Sequence, residues 1–178
     1  MAARGSKTKA ENEVIETVEV EKPDVKKVYK PKQLDPDMIV TVRNGFHGQL
    51  VYVSSKTGER FLWDGFGDEQ DMELSELKNA RSAGKKYFIN NWWLFDDPEV
   101  VDYLGMTKYY KFALNIDEFE SLFDLPADKI EERVSKLSAG QKKSVAYRAK
   151  QMIADGAIDS NRTIQTLERC LGVDLVEK

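Results

Sequence analysis

The chain has 178 residues, 41% hydrophobic and 33% charged, with a formal net charge of −4. This length suits one ordinary domain or two small ones with modest cores, and the balanced charge gives no reason to expect a nucleic-acid partner. One cysteine excludes an intramolecular disulfide, and neither a secretory signal nor a membrane-length apolar run is apparent, so we expect a protein kept in a reducing cytoplasm and outside the membrane.

Residues 1–37 are predicted to be an extended or disordered N-terminal arm. They contain a single aromatic residue, Tyr29, and three of the five prolines, between short acidic and basic patches. A segment of this composition buries too little apolar area to offset an ordering cost of roughly 1–2 kcal/mol per residue, so alone it should be disordered.

Two stretches of the arm favour contact with a partner. Residues 17–21 alternate like an isolated strand, and residues 25–32 are basic and extended. Such a segment either remains a solvated tail or adds a strand or wrapped segment to a neighbouring subunit, whose sheet edge supplies backbone partners. The arm residues that we expect to make this contact are Val18, Val20, Val28 and Tyr29.

Residues 38–106 are predicted to form a small antiparallel β-domain, meander-like or barrel-like, with one embedded short helix. Period-2 alternation between glycine-containing turns predicts three consecutive strands, which begin near Ile39, Leu50 and Arg60 and pair in that order. A solvated acidic loop is expected to follow at residues 64–71.

The second half of this domain is predicted to mix a helix with a closing strand. Ser75 is expected to cap a short helix that ends at Gly84. Residues 87–95 are rich in aromatic and aliphatic side chains and predict a closing strand or strand pair. A further helix is predicted with Pro98 at its first position and Gly105 as its stop.

Residues 107–178 are predicted to form a C-terminal helical bundle, which completes an α+β fold. A short extended linker at 109–114 leads to a helix at 116–123, whose start has the Asn115 and Glu118 pattern of a capping box. Further helices are predicted from Pro126, over residues 141–154 after a break at Gly140, and from Asp159 or Ser160 to a stop at Gly172.

We predict no catalytic residue, metal or cofactor, and no enzymatic activity. His47 is the only histidine and lies between loop glycines; with one distant cysteine it cannot complete a zinc-ligand set. The carboxylates at 96–102 begin a helix, where the helix dipole favours negative charge, so an acid–base pair is disfavoured. The acidic residues at 64–71 lack the EF-hand pattern, and the glycine segments match no phosphate-binding fingerprint.

The three tryptophans are predicted to belong mainly to the core. A stacking platform for bases or sugars is the alternative, but large aromatic residues dominate the cores of domains of this size. Because adjacent residues of a strand point to opposite faces, either Trp92 or Trp93 is expected to face outward. We expect that residue to contact another protein.

A nucleic-acid-binding regulator is the second interpretation. Lys142, Lys143, Arg148 and Lys150 give the 141–154 helix a basic side, and two helices joined by a short turn invite comparison with a helix-turn-helix. Acidic residues flank the same region and leave no broad basic surface. A solvated helix face is therefore favoured, and nucleic acid is an unlikely partner.

A pattern of residues between 38 and 175, which omits the arm, supports a family resemblance. Its members are Val40, Val42, Asn44, Val51, Tyr52, Arg60, Phe61, Met72, Leu74, Leu77, 84–89, 94–97, Glu118, Phe119, 149–153, Gly172, Asp174 and Leu175. In this pattern and in the order of its elements, the chain resembles an uncharacterised family of small virion-associated proteins of tailed bacteriophages. The resemblance implies a structural or accessory role in the phage particle, with capsid, neck or tail proteins and copies of the chain itself as partners, and synthesis in the bacterial cytoplasm.

Overall fold

A computed structural model describes residues 33–176. The four arm residues expected to contact a partner, Val18, Val20, Val28 and Tyr29, therefore lie outside the described residues. Pro31–Lys178 groups as one compact unit. Its described part begins with a turn at Pro36 and Asp37, where the Pro36 carbonyl accepts a hydrogen bond from the Ser75 amide (2.8 Å).

The fold is α+β, as predicted, with two small antiparallel sheets followed by helices. In the first sheet β1 is central, with β4 on one side and β5 on the other, whereas β2 and β3 form a separate two-stranded sheet. The strands are β1 (Ile39–Asn44), β2 (Leu50–Val53), β3 (Arg60–Trp63), β4 (Glu69–Glu73) and β5 (Trp93–Leu94).

The predicted pairing of β1 with β2 is wrong, because the chain leaves the first sheet directly after β1. The buried Asn44 side chain donates to the carbonyls of Gly48 (2.9 Å) and Gly65 (2.7 Å) and accepts from the Phe46 amide (2.8 Å). These bonds fold the 45–49 loop back on itself. β2 therefore starts in a different sheet and pairs only with β3.

The prediction of an acidic loop over residues 64–71 is wrong from Glu69 onward, because strand β4 begins there. It pairs with β1 along its length, and its one large apolar residue, Met72, is 1% exposed. The side chains that alternate with Met72 are carboxylates that face solvent. A strand with a single apolar residue gives too weak a period-2 signal to be recognised.

Four helices accompany the sheets, and three predictions about this region are wrong. Glu73, not Ser75, precedes the first helix, and the Ser75 hydroxyl instead donates to the Glu73 carboxylate (3.1 Å). Residues 86–89 are helical where a strand is predicted, and the predicted linker at 109–114 begins with a helix. The helices are α1 (Leu74–Ala83), α2 (Lys86–Ile89), α3 (Pro98–Tyr103) and α4 (Thr107–Tyr110).

The C-terminal helices follow their predicted capping residues closely. Asn115 and Glu118 form the capping box, Ser160 caps the last helix, and Gly172 ends it with a left-handed φ of 69°. Gly140 is the exception: it lies inside the third of these helices, which Ser138 caps. The elements are α5 (Ile116–Ser121) with a 3₁₀ turn (Leu122–Asp124), α6 (Ala127–Ser135), α7 (Ala139–Ala154) and α8 (Asn161–Leu171).

Two hydrophobic clusters form the core, one built by the strands with α1 to α4 and one by α5 to α8. They meet where the first turn of α7 lies on residues 90–92. A Cβ atom added to Gly140 would lie 2.3 Å from the Asn90 carbonyl oxygen and 2.9 Å from Trp92 Nε1. The Ser138 hydroxyl donates to the same Asn90 oxygen (3.0 Å), and the Ser144 hydroxyl donates to the Gly45 carbonyl (3.0 Å). We call this contact the α7 junction.

Gly140→Ala should destabilise the protein, because the added methyl group would collide with backbone that cannot rotate away. We expect the free energy of unfolding to fall by about 1–3 kcal/mol, the usual cost of overpacking, although alanine favours helix. Chemical denaturation measures the free energy of unfolding of the wild-type chain and the variant. Gly84→Ala is the control, since its Cβ would meet nothing within 4 Å and its φ of −179° is extended. Equal stability of the two variants would contradict the close approach at the α7 junction.

Candidate protein-interaction site

The two adjacent tryptophans have different environments. Trp93 is 0% exposed and stacks on Tyr87, with ring centroids 4.5 Å apart. Trp92 is partly buried, and its ring lies edge-on to Phe46 (5.5 Å) beside the α7 junction. Trp92 is therefore the one of the pair that keeps some exposure, but most of its contacts are internal.

An apolar groove lies between β5, α3, α4 and the start of α5. Its volume is about 270 Å³, and we call it the α3–α5 groove. The Tyr110 hydroxyl donates to the Trp93 carbonyl (2.7 Å), and burial raises the pKa of Tyr110, so this wall of the groove is fixed and uncharged. The apolar lining consists mainly of Leu94, Phe95, Val101, Tyr110, Leu114 and Ile116.

The charged residues that line the rim of the groove are Arg43, Asp96, Lys111 and Glu118. Arg43 pairs with Glu69 (3.0 Å) and Asp96 (3.1 Å), and Arg133 pairs with Glu118 (2.9 Å). These acidic residues lie in or beside strand β4 and the N-terminal ends of α3 and α5, where helix dipoles favour negative charge. The groove therefore combines an apolar floor with a rim whose charges are already positioned.

A second pocket, of about 290 Å³, lies between the 45–48 loop, α5 and α7. The His47 ring stacks on Tyr147 (4.8 Å) and contacts Phe46 (4.2 Å). Arg148 binds Glu120 through two nitrogens, with Nη2 2.9 Å from Oε2. We call this the His47 pocket.

Sequence reasoning missed both sites for the same reason. His47 and Tyr147 are separated by 100 positions, and the walls of the α3–α5 groove come from four elements. Neither set forms a local motif. The available sequence signals were Gly45 and Gly48, which flank the 46–47 loop, and the capping box at Asn115. These signals indicate backbone geometry only.

Burial and charge both disfavour protonation of His47. Its pKa is lowered from the ordinary value of 6.5, chiefly by desolvation and secondly by the positive charge of Lys143. Within residues 33–176 its Nδ1 atom has no hydrogen-bond partner. The imidazole is therefore neutral at pH 7 and acts as a flat ring in the stack.

No metal cluster and no membrane span occur in the part of the chain that the structure describes. Groups of three or more His, Cys, Asp or Glu arranged to hold a metal are absent between residues 33 and 176. None of the helices there has both the length and the apolar character needed to cross a bilayer.

NMR titration of the single histidine tests the geometry of the His47 pocket. We expect a pKa below 6.5, and Lys143→Gln should raise it by removing a nearby positive charge. Since the unfolded chain binds this proton more readily, stability should fall as the pH drops below 6.5 towards the folded pKa. Lys150→Gln is the control, because Lys150 lies about 10 Å along α7 from Lys143. A wild-type pKa at or above 6.5 would show that the ring is solvated.

The chain was compared with protein-family models, with curated proteins and with solved structures. None of the three comparisons gave a match.

Proposed function

We propose that this protein is a non-enzymatic structural or accessory protein of a tailed-phage virion. It docks on a capsid, neck or tail surface through its N-terminal arm and its β-domain. Its partners are phage structural proteins and copies of itself, rather than a membrane, a nucleic acid or a small-molecule substrate. It is made in the cytoplasm of the bacterial host and resides in the virion.

The α3–α5 groove is the observation that carries this proposal. Its floor is apolar, and the carboxylates on its rim are already paired with arginines. An apolar recess with a charged rim matches the way single side chains anchor protein interfaces. A protein partner is therefore favoured over a metabolite.

The ionic groups near both sites also favour binding over catalysis. Arg43 and Arg148 are each held by carboxylates, and His47 is stacked between rings. General acid–base chemistry needs a group poised to exchange a proton with substrate near the working pH. These arginines instead position charge at the surface, which steers and orients a protein partner.

Repetition on a symmetric lattice would compensate for weak individual contacts. Each linked contact raises the effective concentration of the next, so avidity exceeds the affinity of any single contact by orders of magnitude. A groove for one side chain and an arm of 37 residues are suited to such an assembly.

A nucleic-acid-binding regulator remains the second candidate because of one arrangement on α7. Tyr147 is 47% exposed and lies between the exposed Lys143 and Lys150, at i, i+4 and i+7 spacing. An exposed aromatic ring flanked by lysines is typical of surfaces on which bases stack. Arg148, expected to contribute to the same basic side, is instead bound to Glu120.

Mass spectrometry of purified particles tests the first proposal. We expect the chain to be present in intact virions of the encoding phage, in a fixed ratio to other virion proteins. Reversing the arm charges with Lys26→Glu, Lys27→Glu, Lys30→Glu and Lys32→Glu should reduce its incorporation at least tenfold if the arm docks. Reversal of Lys129 on α6 and of Lys136 directly after it is the control. A chain present in the infected cell but absent from particles would contradict the proposal.

Titration with fluorescent single-stranded DNA at several salt concentrations separates the second candidate from the first. We expect no binding tighter than the non-specific range of about 10⁻⁴–10⁻⁶ M at physiological salt. Tight, strongly salt-dependent binding that is lost when Lys142, Lys143, Arg148 and Lys150 are changed to Ala would favour the regulator. Changing Lys85 and Lys86 to Ala is the matched control.

A further inference from the structure

We propose that a basic surface on α1 and the turn between α3 and α4 docks on an acidic surface of a protein partner, with Arg81 binding a partner carboxylate. We call this surface the α1–α4 basic face, and it consists of Lys78, Arg81, Lys85 and Lys108. The inference rests on the proposed function, because it names the chemistry of the structural protein on which the β-domain docks.

Two contacts place α1 against the α3–α4 turn. Lys78 and Arg81, three positions apart on α1, lie on one side of that helix. Lys78 Nζ is 6.0 Å from the centroid of the Tyr103 ring at the end of α3. The Arg81 guanidinium lies against Gly105, since a Cβ atom added to that glycine would be 3.4 Å from Arg81 Nη2. The two side chains therefore share one surface with the turn.

Two exposed lysines extend this surface beyond Arg81. Lys85 follows Gly84, the residue that ends α1, and Lys108 lies in α4, three residues after Gly105. Lys108 Nζ is 4.7 Å from the centroid of the Tyr109 ring. The turn therefore carries positive charge on both of its flanks.

Arg81 is the member of the face with an unsatisfied guanidinium. Its side chain is partly buried, and its Nε atom has no hydrogen-bond partner within residues 33–176. The ion pairs among those residues include neither Arg81 nor Lys78. A partly buried charge without a counter-ion is costly. A partner carboxylate bound to the two Nη atoms would form parallel charge-assisted hydrogen bonds and offset that cost.

The carboxylates beside the face do not neutralise it. Glu76 on α1 accepts a hydrogen bond from the Tyr52 hydroxyl, and Asp102 on α3 accepts one from the Thr107 hydroxyl (3.1 Å). Glu99, one turn before Tyr103 on α3, has an interaction of its own. No ion pair joins Glu76 or Asp102 to the four cations. The face therefore complements a surface that carries carboxylates.

The aromatic rings of the face favour a protein over a nucleic acid. Surfaces that bind single strands combine cations with rings that are free to stack on bases. Here Tyr103 and Tyr109 pack on the first hydrophobic cluster, and lysine ammonium groups lie over both rings. The face therefore offers positive charge and one guanidinium fork, but its two tyrosines are already engaged.

Titration of the purified full chain with a fluorescein-labelled oligoglutamate peptide at low salt tests the inference. We expect Lys78→Ala combined with Arg81→Gln to weaken binding at least about tenfold, because the guanidinium and its neighbouring charge are lost. Lys56→Ala combined with Lys150→Ala is the matched control, since it removes two exposed lysines elsewhere with the same change in charge. This control should retain most of the affinity.

Arg81→Lys is the second variant, and it keeps the charge. An ammonium group cannot bind a carboxylate through two parallel bonds, so we expect binding about threefold weaker than that of the wild-type chain. Circular dichroism confirms that the variants fold. If the Arg81→Gln variant does not fold, Lys78→Ala combined with Lys108→Ala, both at exposed positions, takes its place.

Three results would overturn the inference. They are equal affinities of the face variant and the control, full affinity of Arg81→Lys, and tighter binding of an oligothymidylate than of oligoglutamate through the same residues. Because the purified chain alone is used, these results are distinct from absence of the chain from virions. A chain present in virions with any of these three results would leave the proposed function in place and remove this contact.

Discussion

The close approach of α7 to the 90–92 turn is the constraint on which the arrangement of the described chain depends. Gly140 leaves no room for a side chain against Asn90, and the hydroxyls of Ser138 and Ser144 bond backbone carbonyls of the β-rich part. Gln141, buried on the same turn, bonds both the amide (3.0 Å) and the carbonyl (2.7 Å) of Leu114. The contacts of Gly140, Ser138 and Ser144 hold the two hydrophobic clusters in one geometry, and the Gln141 bonds fix α7 to the segment before α5 within the second cluster.

Both candidate sites exist because of that geometry. The α3–α5 groove is lined by Leu94 and Val101, which lie in the β-rich half, and by Leu114, which belongs to the second cluster. The His47 pocket is lined by the loop after β1 and by α7, so it also draws on both halves. Neither cluster alone would form either recess. A change that loosens the α7 junction is therefore expected to weaken partner binding even where it contacts no partner.

Local signals predicted the helical half well and the strand pairing poorly. Caps at Asn115 and Ser160 and the stop at Gly172 depend on neighbours within three or four residues, so the sequence contains all the information needed. The partner of β1 instead depends on the buried hydrogen bonds of Asn44. Tyr87 and Phe88 favour a strand by propensity, and their burial in a short helix overrides that preference. The groove, assembled from four elements, left no sequence pattern to recognise.

The α7 junction holds the two hydrophobic clusters in one geometry, and the rest of the described fold depends on it. Hydrogen–deuterium exchange of the wild-type chain and of Gly140→Ala tests this dependence most directly. We expect the substitution to speed the exchange of amides on both sides of the junction, in residues 90–92 and in the first turns of α7, because local opening becomes easier. Unchanged exchange at residues 90–92 would contradict the dependence of that turn on α7.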